Sequence, residues 1–245
     1  MKSNIESSKM PILLESIKTC ENLKFLNLSE NIIKNNCIPV LLEALKNLQF
    51  IETVGFNNCQ IGSKPIIQIL NVLKTKSFMK DLYLSSNDIG DEGAQSLKNN
   101  FSNEFLGLRS LFLVNNNISM KGAQFLSYFL QNKSKLQQLR LGSNKIKASG
   151  LGYIIEAFKG KGQLIDFDVG SNNICDEGSL LLENSFLKNL NLLYLNVMKN
   201  EISEERIISI LNILKKQSTP CKINVFGNKA NDNHIQKYFA ENFHP

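Results

Sequence analysis

The residues with the most chemical potential are Asp166 and Asp168, which flank Phe167 in the segment Ile165-Asp166-Phe167-Asp168-Val169. Residues two apart on an extended chain share a face, so this spacing sets two carboxylates side by side, roughly 7 Å apart. Such a pair could divide acid and base roles, hold a cation, or meet the basic side chains of a partner or of a neighbouring arginine. Little else in the chain is of this kind. The two histidines, His234 and His244, fall in the last dozen residues, where a Ser-His-Asp or Cys-His site would have to be built on the end of the chain. Gly160-Lys161-Gly162 lacks both the spacing of a phosphate-binding loop and the Ser or Thr that follows its lysine. No group of His, Asp and Glu has metal-ligand spacing. Neither catalysis nor a cofactor or metal is expected.

The five cysteines (Cys20, Cys37, Cys59, Cys175, Cys221) are odd in number and never spaced Cys-x-x-Cys, which argues against a disulfide framework and for a reducing compartment. No run approaches the ~20 apolar residues of a membrane span. The apolar stretch from Met10 to Leu14 is too short for a secretory signal and ends at Glu15. Asn-x-Ser sequons at Asn27, Asn117 and Asn132 are therefore expected to carry no sugar, and the protein is expected to be cytoplasmic. With 245 residues, 42% of them hydrophobic, the chain can bury a core without staples.

The elements that must carry these residues are set by a repeat. The pattern Leu-x-Leu-x-x-Asn-x-Ile occurs around Leu82, Leu84, Asn87 and Ile89, and again at Leu111, Leu139, Phe167 and Leu195, with weaker copies at Leu26, Val54 and Ile223. Its marker position reads Asn31, Cys59, Asn87, Asn116, Asn144, Asn172, Asn200, Asn228, a step of 28 residues with a single 29. Six residues after the marker stands Gly93, Gly122, Gly150 or Gly178. Ten and fourteen residues after it stand apolar pairs such as Leu41 and Leu45, Ile69 and Leu73, or Ile210 and Leu214. Alternation predicts an inward strand face and the i, i+4 pair one face of a helix, so each unit is a short strand, a turn at the marker, and a helix. Asp91, Glu92, Asp176, Glu177, Glu204 and Glu205 fall where helices begin, at the positive dipole end.

On these motifs the chain resembles the leucine-rich-repeat family, in its ribonuclease-inhibitor-like class with ~28-residue units. The resemblance implies an α/β fold: a right-handed solenoid, or horseshoe, with a concave parallel sheet, convex helices and the repeated Asn as a buried ladder in which Cys59 is an accepted substitute. It implies a single domain over 1–245. Residues 1–22 read as an N-terminal cap helix with Leu13 and Ile17 inward, 23–230 as about eight repeats, and 231–245 as a closing helix carrying Tyr238, Phe239 and Phe243. Cys37, Pro65 and Arg206 take the glycine position, so their helices are expected to start differently.

The resemblance also places the residue between the two strand leucines on the exposed concave face. That row runs Asn27, Gly55, Tyr83, Phe112, Arg140, Asp168, Asn196, Asn224, and the row two residues earlier includes Asp166 and Tyr194. With strands ~4.8 Å apart, Tyr83, Phe112, Arg140 and Asp168 form a continuous stretch ~15 Å long. Tyr83, Phe112, Arg140, Asp166, Asp168 and Tyr194 are the expected partner-binding residues, since Tyr, Phe and Arg are enriched at interfaces. Net charge is +6. Eight basic residues, with Lys133 and Lys161 in loops, face one acid within 121–161; this band favours a partner with an acidic surface, while nucleic acid is not expected. The expected function is a monomeric, non-catalytic scaffold for a protein partner. A GTPase-activating protein is the alternative, because one branch of this repeat class has that role, although its acidic C-terminal tail is missing here. The 32 asparagines indicate an AT-rich genome, and a short domain of this type also resembles effectors that intracellular bacteria deliver into a host cytoplasm.

Overall fold

A computed structural model describes residue 5 and residues 8–101, 105–161, 163–187, 192–217 and 220–242. Three-residue strands alternate with helices of mostly 10–12 residues. The strands are β1 (Phe25–Asn27), β2 (Thr53–Gly55), β3 (Asp81–Tyr83), β4 (Ser110–Phe112), β5 (Gln138–Arg140), β6 (Asp166–Asp168), β7 (Tyr194–Asn196) and β8 (Lys222–Asn224). The helices are α1 (Met10–Ile17), α2 (Ile38–Asn47), α3 (Ser63–Leu73), α4 (Gly90–Phe101), α5 (Met120–Leu130), α6 (Lys147–Ala157), α7 (Cys175–Leu181), α8 (Glu204–Leu214) and α9 (Asp232–Asn242). All eight strands join one open parallel sheet in sequence order. The register pairs equivalent residues, so Leu26, Val54, Leu82, Leu111, Leu139, Phe167, Leu195 and Ile223 form one inward row. With the helix pairs they make one contiguous core from Met10 to Ile235. Among the described residues no helix is long and apolar enough to cross a membrane.

The marker asparagines link the turns as expected. Asn144 Oδ1 accepts from the backbone N–H of Asn116 (3.0 Å) and of Ile118 (2.9 Å), while its Nδ2 donates to the carbonyls of Leu113 (2.9 Å) and Leu141 (2.8 Å). Asn87, Asn116, Asn200 and Asn228 repeat this bridge to the preceding unit. Cys59 reproduces only the donor half, its thiol pointing at the Leu28 carbonyl (3.2 Å), and burial pushes that thiol up to about 11. At the front of the ladder the N–H of Ile5 donates to Asn31 Oδ1 (2.8 Å). Around the markers at 59, 87, 116, 172 and 200 the residues just before and just after are both left-handed, φ 50–60°. Asn, Asp and Ser occupy most of these places because they tolerate that region better than branched side chains do.

The glycine six residues past each marker is a packing requirement. A Cβ on Gly93 would lie 2.0 Å from Ile89 Cγ2, and one on Gly122 would lie 2.3 Å from Asp91 Oδ1. The substitutes behave less uniformly than expected. Only the Cys37 unit starts differently, through a 3-10 turn over Asn35–Cys37 before α2. Pro65 sits in the first turn of α3, where its missing N–H has no helical acceptor to lose, and α8 runs through Arg206 without a break. In α1 the inward stripe is Met10, Leu14 and Ile17, with Leu13 only half-buried, so the cap helix is turned by one residue from the expected register. At the other end Ile235 of α9 is buried and the Tyr238 hydroxyl donates to Asn212 Oδ1 (2.6 Å); Phe243 and His244 lie outside the described residues.

Candidate functional site

The concave face brings the expected residues into one connected cluster over β3 to β7. Parallel register sets Tyr83 beside Phe112 and Phe112 beside Arg140. The Tyr83 and Phe112 rings meet edge to face, centroids 4.8 Å apart. The Arg140 guanidinium lies 4.7 Å from the Phe112 centroid and 5.5 Å from that of Tyr194. Its Nη2 donates to Asp166 Oδ2 at 2.7 Å, and Nε reaches both Asp166 oxygens at 3.3 Å. Asp166 is buried and Arg140 half-exposed, which fixes the arginine in place and raises its pKa through that carboxylate. Removing Arg140 would strand a buried charge, so Arg140 supports the fold as well as lining the face.

Asp168 does not sit beside Asp166 as a paired reagent. It is buried, and its Oδ1 accepts from the N–H of Gly170 (2.9 Å), two residues on. Asn27, Asn196 and Asn224 occupy the same register and make the same bond to residues 29, 198 and 226. This side chain therefore closes the strand, and the neighbouring Gly142 leaves room for it, since a Cβ there would approach its carboxylate to 2.9 Å. Burial is the main cause raising the Asp168 pKa. Among the described residues no group of His, Cys, Asp and Glu could hold a metal ion. Each carboxylate of the pair is occupied by its own partner, and what remains open is an apolar and aromatic surface of Tyr83, Phe112 and Tyr194. Burial raises the pKa of both tyrosines, so their hydroxyls stay neutral.

Polar neighbours that the sequence did not single out extend the cluster toward β2. Thr53 Oγ1 donates to Asp81 Oδ2 (2.9 Å), and Ser110 Oγ donates to Gln138 Oε1 (3.1 Å). A separate polar groove of about 580 Å³ follows the strand-to-helix turns past Asn58, Gln60, Ser86, Asp88, Asn115 and Asn117. Its lining is the set of residues that the left-handed turns select.

The basic band is the main correction. Lys133 is not a loop charge free to meet a partner: its side chain is fully buried, with Nζ 4.3 Å from the Phe129 ring centroid. Lys161 Nζ donates to the carbonyls of Ala157 (2.7 Å), Leu130 (3.3 Å) and Gln131, tying together the C-terminal ends of α5 and α6. Lys76, at the same place in its unit, donates to the Lys46 carbonyl at the end of α2 (2.7 Å). Lysine 17 residues after the marker was visible in three units, and the signal was its recurrence rather than its charge. Lys76 and Lys161 satisfy orphan carbonyls at helix C-termini and meet the negative dipole end.

A family model described as Leucine Rich repeat matches residues 75–98 and 132–154, spans that contain β3 with most of α4 and β5 with most of α6. No curated protein matches the chain. With eight strands in register, one marker residue per turn and a helix returning from each strand, these matches make the fold a leucine-rich-repeat solenoid.

Proposed function

We propose that the protein is a non-catalytic scaffold that holds a protein partner on the concave sheet, with Tyr83, Phe112 and Tyr194 as anchors and Arg140, Asp166 and Asp168 as the frame that orients them. The observation that carries this is the aromatic cluster: three half-exposed rings in the middle of the face, Phe112 and Tyr194 held by Arg140 and Tyr83 by Phe112, before any partner arrives. Preordered aromatic anchors lose little entropy on binding. Units of 28 residues with helices of mostly 10–12 residues support the ribonuclease-inhibitor-like class. The face itself is close to charge balance, with Asp81, Asp166 and Asp168 against Arg140 and Lys222, so the partner segment in contact is of mixed polarity. An acidic part of the partner would meet the exposed Lys145 and Lys147 beside the cluster. Arg140 is held by Asp166 and lends no support to the GTPase-activating alternative.

The proposed site is a monomer's own surface, and a reducing cytoplasm suits five unbridged thiols. Phe112→Ala and Tyr83→Ala should each weaken the partner about tenfold or more while the melting temperature holds, whereas Tyr153→Ala on the convex α6 should leave affinity unchanged. The opposite ranking would remove the concave site.

A further inference from the structure

Charge is segregated between the two edges of the solenoid. Leaving out Leu182–Phe186, a helical turn that continues α7, the helix-to-strand connections carry thirteen lysines and arginines against three acids (Glu21, Glu52, Glu104), while the strand-to-helix connections carry four against three. Lys188 and Glu104 lie outside the described residues. Part of the excess belongs to the fold, since Lys76 and Lys161 cap helices and Lys24 and Lys80 pair with Glu52. Arg109, Lys135 and Lys216 are exposed on the same edge, as is Lys159, which forms a solvent-exposed pair with Glu156.

On that edge also stands a row of exposed apolar side chains. Phe50 and Phe78 each stand three residues before their strand, and Leu106, in the 29-residue unit, stands four before β4; 45%, 51% and 53% of their surface is exposed. The Phe50 and Phe78 rings are 5.8 Å apart, centroid to centroid. Three residues before its strand, the unit ahead of the row has the polar Asn22 and the unit after it Lys135. The inward core residues of these connections, Ile51, Met79 and Leu108, are already buried, so the row is extra to the packing of the loops.

We propose that this helix-to-strand edge docks on a lipid bilayer bearing anionic headgroups, with Phe50, Phe78 and Leu106 entering the headgroup–acyl boundary and Arg109, Lys135, Lys159 and Lys216 meeting the headgroups. A bilayer is the one partner that is flat along a row of loops and offers both an apolar layer and spread negative charge. A nucleic acid would meet the cations and leave the row in water. A membrane contact here would leave the concave sheet open, so this inference stands apart from the partner site.

The test is flotation of the full chain with vesicles of phosphatidylcholine alone and of phosphatidylcholine mixed with phosphatidylserine. The protein should float with the mixed vesicles, lose binding as salt is raised, and stay unbound with phosphatidylcholine. The double variant Phe50→Ser/Phe78→Ser should partition at least ~10-fold more weakly, and Arg109→Glu/Lys135→Glu should lose the preference for phosphatidylserine. All four positions are exposed, and an unchanged melting temperature confirms that the variants fold. Protein that floats with neither vesicle, or variants that float as the wild type does, would overturn the proposal.

Discussion

Replacing Asn144 by alanine should cost more stability than a polar-to-alanine change normally does, and the amount follows from its bonds. Two buried backbone donors, the N–H groups of Asn116 and Ile118, have Asn144 Oδ1 as their acceptor at 3.0 and 2.9 Å. Two carbonyls, of Leu113 and Leu141, also lose a donor. Leaving a buried donor unsatisfied costs ~1–3 kcal/mol, so the two together cost ~2–6 kcal/mol before any water enters to relieve them. Set against a typical total of ~5–15 kcal/mol, that is a large fraction, and coupling between adjacent units spreads it beyond one turn. Asn228 supplies the comparison: it accepts from Asn200 and Ile202 at 2.9 and 3.1 Å but is half-buried, so water can replace its oxygen. Urea unfolding followed by circular dichroism should therefore show a much larger fall in midpoint for Asn144→Ala than for Asn228→Ala. Equal shifts, or an unchanged midpoint for Asn144→Ala, would refute the reasoning.

Asp168→Asn should preserve the bond to Gly170 and be at least as stable as the wild type at neutral pH. The folded-state pKa of Asp168 is raised by burial, so wild-type stability falls as pH rises from below 3.8 through that raised value, and the variant's advantage should vanish in acid; a variant less stable at pH 7 than at pH 3, relative to the wild type, contradicts this. Lys133→Ala should cost ~2 kcal/mol through lost packing on Phe129, whereas Lys135→Ala, two residues on and exposed, should cost nothing measurable in the same urea titration. Thiol titration should find five free thiols after unfolding without reductant. In the folded protein Cys20 should react quickly and Cys59 slowly, because Cys59 is buried and pushed up to about 11.

The fold was legible because the repeat constrains it several times over. Leu82 and Leu84, Asn87, Gly93 and Leu97 each demand a different local environment, and only a strand, a turn and a helix in that order supply all of them. The face of the site was legible for the same reason: register placed Tyr83, Phe112 and Arg140 in one row. What the row does was only half legible. Asp168 and Arg140 occupy the same register, yet one turns back to its own strand end and the other reaches across to Asp166. That difference depends on Gly142 leaving space and on a carboxylate within reach, neither of which is a property of the residue itself. Lys133 and Lys161 were misread because charge was taken as a sign of exposure, while long aliphatic stems let lysines reach buried carbonyls and rings. The Phe50 and Phe78 row went unnoticed because it lies outside the strands, in loops that no inward pattern marks.

The concave partner site is tested most directly by site-specific photocrosslinking in extracts of the source cells. A photoreactive phenylalanine analogue replaces Phe112 on the sheet in one protein and Tyr153 on the convex helices in another. The cluster predicts a discrete adduct from position 112 that is lost when Tyr83→Ala is added, and none from position 153. An adduct from position 153 with none from position 112 would contradict it.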